Sequence, residues 1–175
     1  LTKDKSQKRF LDIGTGSGCI IISIINERPD SHGIATDISK KAIKIANINA
    51  KMHHLENKIK FINIDIDKLN FNKYDFIISN PPYIKKFNLS RLDQSVKFFE
   101  PHIALEAGID GLREIKKLIN KSNRLLKING KLIFEIGLYQ CEITKKILKQ
   151  NGFYINKVIN DISSIPRVII STKIV

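Results

Sequence analysis

Short apolar segments alternate with longer segments of helical periodicity along most of this chain. The apolar segments are predicted to be strands, because a strand buried on both faces is a nearly continuous hydrophobic run. The longer segments place apolar residues on one face of a helix, as Ala42, Ile45 and Ala46 do. The predicted strands are 9–13, 32–37, 58–64, 73–79, 131–136, 153–159 and 168–174, and the predicted helices are 19–25, 39–53, 112–126 and 138–150.

This order of elements predicts an α/β fold of one domain, with a seven-stranded, mostly parallel sheet. The last two strands are joined by a short loop and are predicted to form a hairpin, which makes the final strand antiparallel. Residues 84–111 lack clear periodicity, so we predict a long connection there. Long connections at the carboxyl edge of such a sheet are usually functional.

The tetrapeptide Asn80-Pro81-Pro82-Tyr83 follows the apolar run 74–79. Its prolines lack an N–H group and cannot continue a central strand, so the chain leaves the sheet there. Ligands of open parallel sheets bind at this carboxyl edge. The tetrapeptide therefore brings an amide side chain, freed carbonyl groups and an aromatic ring to a place where chemistry can occur. The structural alternative is a strand-ending proline turn capped by Asn80.

A glycine-rich turn, Gly14-Thr15-Gly16-Ser17-Gly18, separates the first predicted strand from the first helix. Strand, glycine turn and helix form the opening unit of nucleotide-binding folds. The third glycine comes one residue too early for a dinucleotide fingerprint, and Asp12 precedes the turn. An acid is a poor neighbour for a diphosphate and a good one for an ammonium or sulfonium group. The turn therefore favours a cationic ligand.

Acidic residues also follow the second and third predicted strands. The Asp37 carboxylate is placed to accept two hydrogen bonds from the ribose hydroxyls of an adenosine ligand. Its alternative role is to cap the next helix, although Ser39 suits that role as well. Asp65 could reach an adenine amino group, and Ile66 could pack on the ring; an ordinary polar loop is an equally good interpretation.

Composition limits the partners. The net charge of +13 favours an anionic partner such as nucleic acid, but the lysines are scattered and also fit a compositional bias. No apolar run reaches the ~18 residues that span a bilayer, which predicts a cytoplasmic protein without membrane contact.

Cys19 and Cys141 lie in apolar stretches and are predicted to be buried, reduced thiols. The histidines lack metal-ligand spacing, so no metal is predicted.

Taken together, these features resemble the class I, Rossmann-like methyltransferases that use S-adenosylmethionine. The residues that carry this resemblance are Asp12-x-Gly14-x-Gly16-x-Gly18, Asp37 and Asn80-Pro81-Pro82-Tyr83. The tetrapeptide is typical of enzymes that methylate planar amino or amide nitrogens. Further patterns narrow the resemblance to the HemK/PrmC family of protein-(glutamine-N5) methyltransferases; they are Glu100-Pro101…Ala104-Leu105…Gly108-x-Asp110-Gly111, Glu135-x-Gly137-x-x-Gln140 and Asp161…Arg167-Val168.

The resemblance implies methyl transfer from S-adenosylmethionine, which becomes S-adenosylhomocysteine, to a glutamine amide in the Gly-Gly-Gln loop of a peptide-chain release factor. The implied protein partner is therefore a release factor, in proximity to the ribosome. The implied cofactor-binding residues are Asp12, Gly14, Thr15, Gly16, Gly18, Asp37, Asp65, Ile66 and Asn80. The implied catalytic residues are Asn80, Pro81 and Tyr83, and the implied substrate contacts are Asn80, Pro81, Pro82 and Tyr83.

The resemblance also implies that residues 1–175 form the catalytic domain and that the family's N-terminal substrate-recognition domain is absent. Two alternatives remain open. A nucleic-acid amino methyltransferase, acting on adenine-N6 or guanine-N2, shares the tetrapeptide and suits the positive charge. A nucleoside-binding module without activity is disfavoured, because Asp12, Asp37 and Asn80 are all intact.

Overall fold

The computed structural model of the chain describes residues 6–70, 73–81 and 100–175, with side chains from 112 onward in the last range. The strands are β1 (Arg9–Ile13), β2 (His32–Asp37), β3 (Ile59–Asn63), β4 (Tyr74–Ser79), β5 (Leu126–Glu135), β6 (Phe153–Asn160) and β7 (Pro166–Lys173). The helices are α1 (Cys19–Asn26), α2 (Lys40–Met52), α3 (Glu100–Leu125) and α4 (Cys141–Gln150), with a 3-10 turn at Ile66–Lys68.

The seven strands form one sheet in the order β3-β2-β1-β4-β5-β7-β6. Strand β7 runs antiparallel to both of its neighbours, and the other pairs are parallel. The predicted mostly parallel sheet with one antiparallel strand, and the hairpin at its end, are therefore confirmed. Ile13 pairs with both Thr36 and Ser79, so the carboxyl ends of β1, β2 and β4 lie side by side.

Apolar side chains cover both faces of the sheet, as continuous hydrophobic strands require. One cluster contains Leu11, Ile77 and Leu132 together with residues of α3 and α4. The other contains Phe10 and Phe76, whose rings stack with centroids 4.9 Å apart, together with residues of α1 and α2. Because the covered sheet is rigid, the loops at its edge are held in fixed positions.

Helix α3 begins at Glu100, whereas the sequence pattern predicted a helix only from 112. The predicted connection 84–111 therefore extends too far, because its residues 100–111 belong to α3. Gly108 and Gly111 obscured the helical signal, because glycine is a poor helix former. Pro101 lies in the first turn, where the missing N–H group costs no hydrogen bond.

Strand β5 begins at Leu126, five residues before the predicted start, and its register with β4 shifts after Tyr74. Within this irregular strand, Asn129 has a φ of 65°. The prediction of buried thiols was wrong for Cys19, which is exposed in the first turn of α1, and Cys141 is only partly buried. Helix α1 turns Ile21, Ile22 and Ile25 toward the core instead.

Candidate active site

The glycine-rich turn is bound to the end of β2, because the N–H groups of Gly14 and Thr15 both donate to the Thr36 carbonyl, at 2.8 and 2.9 Å. Gly14 and Gly16 have φ values of 72° and 58°, a conformation that glycine adopts easily. A Cβ added to either would meet nothing within 4 Å in the described part of the chain. These two residues therefore border open space, as a ligand cradle requires.

Gly18 is different from the other two glycines of the turn. Its φ is also positive, at 82°, but an added Cβ would lie 3.0 Å from Ile22 Cδ1 and 3.2 Å from Ala46 Cβ. Gly18 therefore allows α1 to pack closely against α2. Its predicted contact with a cofactor stays a prediction.

Asp12 is a buried acid beneath the turn. Its Oδ2 accepts a hydrogen bond from Thr15 Oγ1 at 2.7 Å. Its Oδ1 has no hydrogen-bond partner among the described residues. Burial raises the pKa of Asp12 to about 6, against the opposing effects of the Thr15 hydroxyl and the backbone N–H of Ile21. A buried acceptor without a partner suits a cationic hydrogen-bond donor.

Asp37 is fixed at the end of β2 by two backbone groups. Its Oδ2 accepts from the Gly16 N–H at 2.9 Å, and its Oδ1 accepts from the Ser39 N–H at 2.8 Å. Each carboxylate oxygen retains a further lone pair for a ligand. The cap of α2 is Ser39, whose Oγ accepts from the Ala42 N–H at 3.2 Å. The cap therefore does not require Asp37.

A cleft of about 360 Å³ opens between the carboxyl ends of β1 to β4 and helix α3. Six residues predicted from the sequence line it, namely Gly14, Asp37, Asp65, Ile66, Asn80 and Pro81. This volume and mixed polarity are typical of small-molecule sites. Two of the predicted acids, the amide and one glycine thus meet in one place, whereas Asp12, Thr15, Gly16 and Gly18 do not line this cleft.

The cleft also has walls that the sequence reasoning missed: Ile38 beside Asp37, and Glu114, Lys117 and Leu118 on α3. Ile38 carries a local signal, because a large apolar residue directly follows a strand-ending acid, and it is 73% exposed. The residues of α3 carry no such signal. They reach the cleft only because the helix packs across the sheet.

Asp65 and Ile66 belong to a turn that is attached to α3. Asp65 Oδ1 accepts from the Asp67 N–H at 2.8 Å and so caps the 3-10 turn. Lys117 Nζ lies 3.1 Å from Asp67 Oδ2, and Lys121 Nζ donates to the Asp67 carbonyl at 2.9 Å. These bonds hold Asp65 and Ile66 at the wall of the cleft.

Asn80 and Pro81 stand at the end of β4, and both line the cleft. The preceding residue, Ser79, donates from its Oγ to the Ile13 carbonyl at 2.8 Å and so fixes this strand end against β1. Pro82 and Tyr83 lie outside the described residues, so their predicted roles stay predictions.

A second cleft, of about 490 Å³, lies at the opposite edge of the sheet, around Arg9, His32 and Lys58. It is larger and shallower, and none of the predicted site residues in the described ranges lines it. Within those ranges, no group of three or more His, Cys, Asp or Glu side chains is arranged to hold a metal ion. No helix there combines the length and apolarity needed to cross a membrane.

Known proteins similar to this chain are named as methyltransferases. Over 163 residues the chain is 42% identical to the bifunctional methyltransferase of Rickettsia typhi, covering 91% of this chain and 31% of that protein. Over 175 residues it is 40% identical to the release factor glutamine methyltransferase of Fusobacterium nucleatum, covering 99% of this chain and 49% of that protein. The chain thus spans a third to a half of the length of these relatives.

Solved structures share the fold. The crystal structure of TrmN from Thermus thermophilus superposes with a TM-score of 0.69 at 23% identity, over 97% of this chain and 45% of that chain. Magnesium protoporphyrin IX methyltransferase (ChlM) from Synechocystis, solved with bound SAM, superposes with a TM-score of 0.65 at 18% identity, over 97% of this chain and 72% of that chain. The predicted class I, Rossmann-like fold is confirmed by these neighbours.

A family model described as a methyltransferase domain matches residues 4–169, which is nearly the whole chain. The resemblance to release factor glutamine methyltransferases that the motifs indicated is confirmed by the relatives of that name. With the glycine turn, the strand-end acids and the Asn-Pro strand end meeting in one cleft, the chain belongs to the methyltransferase domain family.

Proposed function

We propose that this chain is the catalytic domain of an S-adenosylmethionine-dependent methyltransferase that modifies a glutamine side chain of a peptide-chain release factor. The observation that carries the proposal is the cleft, which is lined both by Gly14 of the glycine turn and by the Asn80-Pro81 strand end. The similarity to relatives named release factor glutamine methyltransferase, at 33 to 40% identity across at least 94% of the chain, supports the substrate class.

The residues of the cleft fit the methyl donor. Bound S-adenosylmethionine supplies a methyl group activated by a sulfonium centre. The unpartnered oxygen of Asp12 suits its ammonium group, and the open space beside Gly14 and Gly16 admits the ligand close to the backbone. Asp37 is oriented to accept from the ribose hydroxyls, while Asp65 and Ile66 stand where the adenine would bind.

The acceptor amide needs orientation rather than a strong base. Its nitrogen is a poor nucleophile, because the lone pair is delocalised into the carbonyl group. The Asn80 side-chain oxygen and the Pro81 carbonyl accept its two N–H groups and aim the nitrogen at the methyl group. Positioning and preorganised charge can supply most of the rate. Tyr83, which lies outside the described residues, is predicted from the resemblance to pack against the planar acceptor.

The test is methyl transfer from isotopically labelled S-adenosylmethionine, with unmodified release factor, unmethylated DNA and ribosomal RNA offered in parallel. Mass spectrometry locates the label. We expect it on the glutamine of the Gly-Gly-Gln loop, with turnover reduced at least about 100-fold by Asn80→Ala, the typical contribution of one oriented polar group. Asn57→Ala, an exposed asparagine at the opposite edge, is the matched control. Normal turnover in Asn80→Ala would refute the mechanism.

The second candidate is a nucleic-acid amino methyltransferase, favoured by the net charge of +13. It would use the same cleft, because adenine and guanine amino groups are also planar. Label on DNA or RNA alone would establish this candidate and exclude the release factor.

A further inference from the structure

Two motifs of the sequence take no part in the cofactor cleft, and the structure shows that each one fixes a loop. In the loop between β5 and α4, the buried Gln140 accepts a hydrogen bond at its Oε1 from the Gly137 N–H, at 2.8 Å. This bond joins the second and the last residue of the five-residue loop 136–140. The glutamine of the Glu-x-Gly-x-x-Gln motif is therefore a loop clamp.

Asp161 clamps the loop between β6 and β7 in the same way. Its Oδ1 accepts from the N–H groups of Ser163 and Ile165, at 2.9 and 3.0 Å. Its Oδ2 accepts from Arg167 Nε at 2.9 Å. The Ile165 N–H and the Arg167 guanidinium hold the pKa of Asp161 below its usual value, so this clamp persists at neutral pH.

The clamped loops present large apolar side chains to solvent. Leu138 is 47% exposed, Tyr139 is 83% exposed and Ile162 is fully exposed. Tyr139 also has a φ of 62°, in the left-handed region that non-glycine residues seldom adopt. We name these three residues the edge patch. Exposed apolar groups on rigid loops are typical of surfaces that bind a partner.

The loops that carry the edge patch lie at the same edge of the sheet as the proposed methyl-transfer cleft. The Ile136 N–H donates to the Arg167 carbonyl at 2.8 Å, which joins the two loops. Strand β5 pairs with β4, where Phe134 lies opposite Ser79, the residue before Asn80. Neighbouring strands are ~5 Å apart, so the first of the two loops leaves the sheet about one strand spacing from the end of β4.

We propose that the edge patch docks the polypeptide segment that adjoins the methylated glutamine. This inference rests on the proposed function and adds a protein-binding surface outside the cleft. Neither loop contains a lysine or arginine, although the chain carries a net charge of +13. A surface for phosphates would place cations there, whereas an apolar surface suits a protein segment.

The test compares the wild-type protein with the double variant Tyr139→Asn/Ile162→Ser. Asparagine tolerates the left-handed backbone at 139, so the loop keeps its shape. For intact release factor we expect KM to rise about 10-fold, because part of the apolar contact is lost, with kcat and the Kd for S-adenosylmethionine unchanged. Met52→Ser is the control, because Met52 on α2 is also a large apolar side chain in contact with solvent, at 73% exposed. This variant should leave KM unchanged.

A short Gly-Gly-Gln peptide as acceptor separates docking from chemistry. The double variant should methylate this peptide at the wild-type rate, because the peptide reaches the cleft without the patch. An unchanged KM for release factor, or an equal loss on the short peptide, would overturn the docking surface alone. Wild-type protein that labels only RNA or DNA would overturn the proposed function and this inference with it.

Discussion

Asp12 shows how strongly the pKa of one residue depends on its surroundings. The carboxyl group is nearly fully buried, and its pKa of about 6 lies well above the ordinary value of 3.8. The folded protein therefore holds this proton more tightly than the unfolded chain does. The stability that results is fully present below pH 3.8 and is lost as the pH rises through about 6.

This pKa predicts a pH-dependent stability of the ligand-free protein. Relative to Asp12→Asn, the free energy of unfolding of the wild type should fall between pH 4 and 7 by an amount on the order of 3 kcal/mol. Urea unfolding of both proteins across this range measures the difference. A difference that does not change with pH would mean that Asp12 titrates normally.

Asp37 is the residue with the clearest predicted effect on cofactor binding. Replacing Asp37 by alanine removes the proposed acceptors for the ribose hydroxyls and releases the Gly16 N–H. We expect weaker binding of S-adenosylmethionine by about 1–3 kcal/mol, which calorimetry would measure. Asp30→Ala, an exposed acid outside the cleft, is the control. Equal affinities in the two variants would remove Asp37 from the site.

At the scale of elements, the strand–turn–helix unit of β1 and α1 divides its glycines between two tasks. Gly16 borders the space for a ligand, whereas Gly18 lets α1 and α2 approach each other. Their φ values are similar, so backbone strain alone would affect both equally on substitution. The two positions differ in the space around the place where a Cβ would lie, which is open at Gly16 and filled at Gly18.

Alanine substitutions at these glycines should separate the two tasks. Gly18→Ala adds a clash with Ile22 and Ala46 to the backbone strain. It should therefore lower the free energy of unfolding by roughly 1–3 kcal/mol more than Gly16→Ala does. Its Tm should therefore be several degrees lower, as differential scanning calorimetry would show. Gly16→Ala should instead weaken S-adenosylmethionine binding more than Gly18→Ala does. Equal Tm values would mean that the core around Gly18 yields to a methyl group.

At the scale of the whole molecule, the positive charge and the apolar edge patch suggest different partners. The patch has no cationic residue, so charge contributes little to direct contact there. The net charge of +13 acts at a distance and is screened by salt. The balance between apolar contact at the patch and long-range attraction by the net charge distinguishes a protein acceptor from a nucleic acid.

Salt dependence tests this balance. Between 50 and 200 mM salt we expect KM for release factor to change less than about 10-fold, because apolar contacts are insensitive to screening. A protein that neutralises many phosphates loses roughly 10³–10⁵-fold in affinity over that range. Steady-state kinetics in a salt series measures the slope. A steep loss would favour the nucleic-acid candidate.

Local patterns explain how far prediction from the sequence succeeded. Apolar runs such as 74–79, the glycine turn and the prolines after β4 each restrict the backbone by themselves, so the fold and the binding edge were predictable. The start of α3 was not, because Gly108 and Gly111 weaken the helical pattern of residues 100–111. Lys117 was missed because it reaches the cleft from a distant helix.

The sequence by itself determined the order of strands and helices, the edge at which ligands bind and the residue types of the site, because these depend on neighbours along the chain. Tertiary structure alone decided that Asp12 is buried with a raised pKa, that Gly18 serves packing, and that the loops carrying the exposed Tyr139 and Ile162 are joined by a hydrogen bond. Burial and proximity arise from contacts between distant residues, and only the folded chain brings those residues together.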